Sequence, residues 1–268
     1  DDVMSVRGGV HAPKNVKIYA PVVNADPAAT YSGTASAGTA YIVTEAGAAW
    51  ATNAYKDYYI KAPVGAGTES ARIVAMDATA DKIIVASSGT TLDTASGTST
   101  STTGTTMTQT GAGWVTSEWV GFTVSLGGKT LVVTSNTDTV ITGSAGWVGG
   151  TPAAGAYTLT NTSTTTKLVD TSMAWATLPF AAECWAGSPI TFGGAGAPSG
   201  ETTWVTVSKA HILTLSPALT AAPTTGVHTY VVGQAFSAAA GAAAFSIRQW
   251  GDHTGGDNDG DLFEEVDE

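Results

Sequence analysis

Apolar and polar residues alternate along much of the chain, and the alternation returns in three separate segments. The segments 71–87, 130–144 and 202–216 each place apolar residues at every second position on both sides of a polar middle. A period of two is typical of a half-buried strand, and turn-forming residues in the middle allow the chain to reverse. We therefore predict a β-hairpin in each segment.

A tryptophan opens a similar stretch before each predicted hairpin. Trp50, Trp114 and Trp175 recur at intervals of roughly sixty residues, and a turn rich in glycine follows each opening. Two of the copies end in a stretch that contains proline, glycine and tyrosine, at 151–159 and 222–232. This recurrence predicts tandem repeats whose equivalent tryptophans anchor small hydrophobic cores.

The fold class that we predict is all-β, built from tandem small β-sandwich or barrel-like modules. Threonine and valine are frequent, and their branched side chains pack well on the pleated surface of a sheet. Residues 234–250 place apolar side chains at helical spacing. This spacing predicts a short Ala-rich helix near the C-terminus, or else a terminal strand.

The repeats divide the chain into five predicted segments. Residues 1–40 form an N-terminal arm and strand, 41–100 a degenerate β module 1, 101–162 β module 2, 163–233 β module 3, and 234–268 an Ala-rich segment with an acidic tail. A boundary near residue 100 follows from a tract of serine, threonine and glycine. Such a tract is either a flexible linker or a Thr-rich exposed strand.

The repeat resembles a tandem β module of phage tail, fibre and decoration proteins and of some prokaryotic surface proteins. The stretches that carry the resemblance are WVGF (119–122), SNTDTVIT (135–142), GAY (155–157), VDTSMAW (169–175), WAG (185–187) and HTY (228–230). It covers roughly residues 40 to 232. The resemblance implies an extracellular or virion setting and no particular reaction.

The first copy departs from this pattern. Lys56-Asp57 stands where the other copies have an aromatic residue followed two positions later by glycine. A tract of serine, threonine and glycine at 88–110 replaces the tyrosine strand that closes the other copies. We expect an N-terminal strand, ending near Tyr41, to complete the first module.

Charge and composition exclude several classes of function. The formal net charge is −11, and eight of the 22 acidic residues lie between Asp252 and Glu268. No run of lysine or arginine exists to neutralise phosphates, which argues against nucleic acid as a partner. No apolar stretch is long enough to predict a membrane span. The single cysteine, Cys184, excludes an internal disulfide and is expected to be a small buried residue.

The C-terminal tail contains the strongest candidate for a metal site. Asp257, Asp259, Asp261 and Glu264 supply hard oxygen ligands at a spacing that suits calcium, and we expect no other cofactor. Neither register of the twelve-residue calcium loop fits, because glycine and the closing glutamate do not both fall in place. A solvated acidic tail and a docking peptide are the alternatives.

We expect the protein not to be an enzyme. Its acidic residues fall in turns of separate copies, so nothing brings two carboxylates together, and no nucleophile elbow or phosphate-binding loop exists. His211 and His228 lie in predicted hairpins, where we expect exposed strand residues. Trp147, Trp204 and Trp250 fit the repeat least well, so a tryptophan that faces a glycan or another subunit is expected among these three.

The function that we predict is a non-enzymatic structural subunit that self-assembles on a virion, as a phage decoration, tail or fibre component. Its partners would be copies of itself and other virion or surface proteins. A strand such as Val16–Val23 could add to the open sheet edge of a neighbour. The alternative is a subunit of a secreted prokaryotic filament or adhesin, for which a glycan is a further candidate partner.

Overall fold

The structure is a computed structural model, which describes residues 31–64, 67–175, 180, 183–236 and 244–248. Within these ranges the regular secondary structure consists of β-strands, and no helix is present. The prediction of an all-β protein is confirmed. None of the described residues belongs to a helix long and apolar enough to cross a membrane.

The described residues form strands throughout the repeat region. In chain order they are β1 (Tyr31–Thr34), β2 (Ala37–Gly38), β3 (Ile42–Thr44), β4 (Tyr59–Val64), β5 (Gly67–Arg72), β6 (Ala75–Asp77), β7 (Lys82–Ile84), β8 (Ala86–Thr90), β9 (Thr94–Thr98), β10 (Ser101–Thr102), β11 (Thr106–Thr108), β12 (Thr123–Leu126), β13 (Lys129–Asn136), β14 (Val140–Gly143), β15 (Ala156–Thr160), β16 (Lys167–Val169), β17 (Pro189–Gly193), β18 (Thr202–Ser208), β19 (Ile212–Ser216), β20 (Thr229–Gly233) and β21 (Ala244–Arg248).

All three predicted hairpins are present. They are formed by β6 with β7, β13 with β14, and β18 with β19. The alternation that predicted them matches burial. In β19, Leu213 and Leu215 are buried, whereas the polar Ser216 is exposed. The apolar positions therefore face the core because side chains alternate between the two faces of a strand.

Strand pairing groups the strands into three units, which we call the outer, middle and inner units. The inner unit is a seven-stranded sheet of order β10-β11-β14-β13-β12-β15-β9. The middle unit is a six-stranded sheet of order β16-β19-β18-β17-β20-β8. The outer unit consists of two four-stranded sheets, β1-β21-β4-β5 and β2-β3-β7-β6.

The three units are nested along the chain. The first strand of each unit pairs antiparallel with its last, namely β1 with β21, β8 with β20, and β9 with β15. The middle unit thus begins at β8 and resumes only after the whole inner unit, and the outer unit closes with β21. Where each predicted module ends stays a prediction. Strand pairing nevertheless crosses those limits, because β8 lies within 41–100 and β20 within 163–233.

A β-bulge recurs in the long central strand. In β13 the register shifts between Val133 and Ser135, and in β18 it shifts between Val205 and Val207. In the outer unit the corresponding strand is interrupted between β5 and β6, where the chain passes from one four-stranded sheet to the other. A bulge bends a strand and increases its twist. In the outer unit the strand is interrupted at the same position, and its two parts belong to different sheets.

Tryptophans occupy the cores of all three units. Trp50 and Trp175 are buried in the outer and middle units, as the repeat predicts. In the inner unit Trp114 is only partly buried, and Trp119 takes the core position. Trp147 is buried in the same core, so the prediction that it could face a glycan is wrong.

Residues 244–248 decide between the two predictions for the C-terminal segment. They form strand β21, which inserts between β1 and β4. Phe245 and Ile247 are buried while their neighbours face outward, which is the period of a strand and not of a helix. The Ala-rich residues 237–243 and Trp250 lie outside the described residues.

Candidate binding cleft and sheet edges

The predicted calcium ligands, Asp257, Asp259, Asp261 and Glu264, lie outside the described residues, so calcium binding stays a prediction. Within the described ranges, no group of three or more His, Cys, Asp or Glu side chains is placed to hold a metal ion. The candidate sites in the described part of the chain are therefore a cleft, the contacts between units, and the sheet edges.

A tight turn precedes an equivalent strand in each unit, namely β4 in the outer, β12 in the inner and β17 in the middle unit. One residue of this turn has a positive φ, which is 69° at Asp57, 87° at Gly121 and 79° at Gly187. The amide of this residue donates a hydrogen bond to a backbone carbonyl where the β-bulge, or the break in the outer unit, occurs. Tyr55 precedes Asp57 by two positions. The departure at Lys56-Asp57 is thus a substitution within the aromatic-x-Gly step, in which aspartate takes a left-handed conformation that it tolerates better than most residues.

Arg72, the last residue of β5, links this turn of the outer unit to the equivalent turn of the middle unit. Its Nη1 donates to the carbonyl oxygen of Ala186 at 2.7 Å, and its Nη2 reaches that of Cys184 at 3.4 Å. Its Nε donates to Asp57 Oδ1 at 3.1 Å. Burial disfavours the charged carboxylate, but hydrogen bonds and charge from Lys56 and Arg72 outweigh it and hold the pKa of Asp57 below its usual value. Asp57 thereby orients Arg72 towards the middle unit. We call Arg72 and its contacts with Asp57, Ala186 and Cys184 the clamp.

Replacing Arg72 with alanine is expected to lower the free energy of unfolding by about 1–2 kcal/mol, because two carbonyl groups lose a donor and the carboxylate of Asp57 keeps Lys56 but loses Arg72. The lowered pKa of Asp57 means that the charged clamp is favourable at neutral pH and is lost as the pH falls through that lowered value. Urea unfolding followed by tryptophan fluorescence, at pH about 7 and pH about 3, measures both effects. Asp57→Gly is the control, since it keeps the turn but removes the carboxylate. An unchanged stability of Arg72→Ala at neutral pH would contradict the clamp.

A cleft of about 630 Å³ lies between the outer and middle units. Val74 and Val85, both buried, form apolar parts of its lining. Polar groups of Asp57 and Ser70 lie along its wall, and Trp204 borders it with 52% of its surface exposed. This size is within the range of about 300–1,000 Å³ that is usual for small-molecule sites.

The two units contribute equivalent repeat positions to the cleft. Arg72 lies opposite Tyr59 in the outer unit, and Trp204 lies opposite Pro189 in the middle unit. All four residues line the cleft. The inner unit has Val132 at the position of Arg72 and Trp204, and this valine is exposed. The same repeat position is therefore occupied by arginine, tryptophan and valine in the three copies. The arginine and the tryptophan both line the cleft.

No protein-family model matches this chain. No curated protein and no solved structure is significantly similar to it either. The resemblance of its repeat to modules of phage and prokaryotic surface proteins therefore stays a prediction.

The contact between the inner and middle units is built around a buried histidine. His211 stacks on Trp119 with ring centroids 4.4 Å apart, and its Nε2 lies 2.8 Å from Glu118 Oε1. Its Nδ1 faces the carbonyl oxygen of Met173. Both partners are acceptors, so the ring can donate to both only when each nitrogen carries a proton. The prediction that His211 and His228 are exposed is wrong, because neighbouring elements bury them to 4% and 2% exposure.

A glycine faces an aromatic ring where the middle unit closes. Gly89 of β8 lies opposite Tyr230 of β20. The hydroxyl of Tyr230 donates to Asp170 Oδ2 at 2.6 Å, and this fully buried carboxylate also accepts from the amide of Ser172 at 2.9 Å. Burial, together with the charge of Asp170, raises the pKa of Tyr230. Hydrogen bonds from Tyr230 and Ser172 therefore satisfy the buried carboxylate of Asp170.

The inner and outer units repeat this arrangement with variations. In the inner unit Gly97 lies opposite Tyr157, whose hydroxyl donates to Gln109 Oε1 at 2.5 Å, and burial raises the pKa of Tyr157 to about 12. In the outer unit Gly33 lies opposite Phe245, which has no hydroxyl. A glycine opposite an aromatic ring is thus common to all three closures. The space beside Gly89 and Gly97 is filled by the tyrosine hydroxyl and its acceptor, and the space beside Gly33 by the carboxylate of Glu45.

Other candidate residues have structural partners. Glu183 accepts a hydrogen bond from the amide of Ser208 at 2.8 Å, and Glu201 accepts from the amide of Thr220 at 2.9 Å. Cys184 is fully buried, which confirms the prediction that it is a small buried residue, and burial raises the pKa of its thiol to about 12. These contacts do not test whether the protein is an enzyme, so its lack of activity stays a prediction.

The first strands of the three units share a tripeptide and a position. Ser-Gly-Thr occurs at 32–34 in β1, 88–90 in β8 and 96–98 in β9, and each of these strands ends the order of its sheet. Sequence comparison by a single repeat length misses the tripeptide, because two of its copies are close together. A search for short identical motifs at any spacing would have found it.

Strand β9 presents free backbone groups at its outer edge. The carbonyl of Asp93 and the amide of Ser99 both form backbone hydrogen bonds with residues that flank β15. Because backbone groups alternate in direction along an antiparallel strand, the amides and carbonyls of Ser96 and Thr98 point away from β15. Their side chains are exposed, and no strand among the described residues pairs with this edge.

Proposed function

We propose that this protein is a non-enzymatic structural subunit that self-assembles on a virion, as a phage decoration, tail or fibre component. The supporting observation is the outer edges of β8 and β9, which no described strand covers. Natural sheets protect such edges with lysine, proline, bulges or covering elements. Strands β8 and β9 contain only alanine, serine, glycine and threonine. An uncharged edge of this kind can accept a strand from another chain.

The strand that we propose for this role is Val16–Val23 of a second copy. Its sequence, VKIYAPVV, carries one charge, on Lys17, and is otherwise apolar apart from the hydroxyl of Tyr19. In strand addition, main-chain hydrogen bonds supply affinity and alternate side chains supply specificity. Pairing between copies in this way would extend the sheets of neighbouring subunits without requiring opposite charges.

The alternative proposal is a subunit of a secreted prokaryotic filament or adhesin, in which the same edges would join copies outside the cell. Both proposals place the protein on a virion or in an extracellular setting, among copies of itself and other virion or surface proteins. Genomic neighbourhood distinguishes them. Capsid, portal and tail genes beside the coding sequence would support the virion component, and export genes would support the filament.

The edge proposal predicts the effect of proline at Ser96. Ser96→Pro removes an amide that points away from the sheet, so it should block strand addition while leaving the bonds to β15 intact. Combined with Ser88→Pro on β8, it is expected to weaken self-association by about tenfold or more. Size-exclusion chromatography with light scattering, and electron microscopy of the full chain, measure the assembly.

Ser88→Ala combined with Ser96→Ala is the matched control, because it keeps both amides and should assemble like the original chain. Thermal unfolding verifies that all variants fold equally well. Deleting residues 1–30 should also prevent assembly, and a peptide spanning Val16–Val23 should then bind the shortened chain. Assembly that survives both the double proline variant and the deletion would overturn the proposal.

A further inference from the structure

We propose that the cleft between the outer and middle units binds a neutral oligosaccharide, with Trp204 stacking on a sugar ring. Trp204 is the most exposed of the tryptophans in the described part of the chain, with 52% of its surface accessible. Core tryptophans of the same chain are almost fully buried, so the position of this ring is not needed for packing. Trp204 lines the cleft together with polar residues.

The charges around the cleft favour an uncharged ligand. Arg72 already directs its donors to Asp57 and to the carbonyls of Ala186 and Cys184, so its guanidinium is engaged in the clamp. Asp57 is likewise paired with Arg72 and Lys56. An anion would need a cation that is available for pairing, and this cation is not. The local charge of the clamp is therefore balanced before any ligand arrives.

The remaining groups favour a polyhydroxylated ligand. Asp57 is half exposed and retains acceptor capacity, while Ser70 and Gln234 add a hydroxyl and an amide to the same lining. A purely apolar ligand would cover these groups without hydrogen bonds, which is unfavourable. A sugar combines an apolar C–H face, which suits the indole of Trp204, with hydroxyl groups, which suit the polar side chains.

This inference is independent of the proposed assembly, because the cleft lies between units of one chain whereas β8 and β9 present their outer edges to other chains. Sugar binding by the double proline variant at Ser88 and Ser96 would therefore be unchanged. A failure of sugar binding would leave the assembly proposal standing, and the two experiments can be interpreted separately.

Affinity electrophoresis of the full chain in native gels tests the inference. The probes are soluble hydroxyethyl cellulose, glycol chitin, dextran, laminarin and yeast mannan, each with a gel lacking polysaccharide as reference. We expect retardation by at least one polysaccharide. For that one, calorimetric titration with the matching hexasaccharide should give affinity at least about tenfold weaker for Trp204→Ala than for the original chain.

Val132→Ala is the matched control, because Val132 occupies the repeat position of Trp204 but lies outside the cleft. Its affinity should equal that of the original chain. Trp204→Phe keeps an aromatic face and should retain part of the affinity. Absence of retardation by all five polysaccharides would overturn the inference, and so would equal binding by Trp204→Ala, which would place the sugar elsewhere.

Discussion

Replacing His211 with alanine is expected to lower the free energy of unfolding by about 3–5 kcal/mol, because the largely buried carboxylate of Glu118 would lose its side-chain partner and keep the amide of Val115. The ring that stacks on Trp119 would be lost as well. Since these contacts join the inner unit to the middle unit, the links near Leu92 and Thr162 should become more accessible. Urea unfolding and limited proteolysis at these links measure the two effects.

Two variants separate the buried pair from a general loss of stability. Glu118→Gln keeps an acceptor for Nε2 of His211, so its effect should be clearly smaller than that of His211→Ala. Glu201→Ala removes a partly exposed acid of the middle unit that takes no part in the contact between units, and it should change stability less. If His211→Ala is no less stable than Glu201→Ala, the histidine does not hold the two units together.

Replacing Gly97 with alanine is expected to destabilise the protein by about 1–3 kcal/mol, the usual effect of inserting a methyl group into a filled space. A Cβ at this position would lie 2.4 Å from the hydroxyl oxygen of Tyr157 and 2.6 Å from Gln109 Oε1. Either the tyrosine or the strand must move. Gly104→Ala is the control, because a Cβ there meets no atom within 4 Å. Thermal unfolding measures both variants.

A double-mutant cycle shows whether the tyrosine hydroxyl is the cause. Tyr157→Phe removes the oxygen nearest to the added methyl group, so Gly97→Ala should be less damaging in that background. The ring itself remains in the inner core, as the phenylalanine opposite Gly33 does in the outer unit. Strictly additive effects of the two substitutions would show that the clash lies with the backbone or with Gln109 instead.

Local patterns were sufficient for strands that pair with a near neighbour, but not for pairs of strands that are distant in the chain. The alternation in 71–87, 130–144 and 202–216 predicted three hairpins, because each pairs strands that are near neighbours in the chain. The closing pairs join β1 to β21 and β8 to β20, across long intervening segments. A strand as short as β8 carries little information on which distant strand it will meet, so its pairing could not be predicted.

The candidate site could likewise be predicted only where it depends on residues close together in the chain. The aromatic-x-Gly step was recognised from spacing, and the positive φ of Gly121 and Gly187 explains why glycine stands there. The role of Asp57 could not be recognised, since it orients Arg72 towards carbonyl groups of another unit, which only the packing of the two units brings within reach. The exposure of Trp204 could not be predicted either, because the sequence does not show which face of β18 is covered by other elements.

Sequence by itself determined the all-β architecture, the hairpins and the recurrent turns, because these depend on side chains only a few positions apart. The tertiary structure decided the nesting of the units, the cleft beside Trp204 and the contact of His211 with Glu118, which lie 93 positions apart. Such contacts depend on how three similar units pack against one another. Units with nearly the same local pattern can pack in several ways, and only the complete set of contacts selects one.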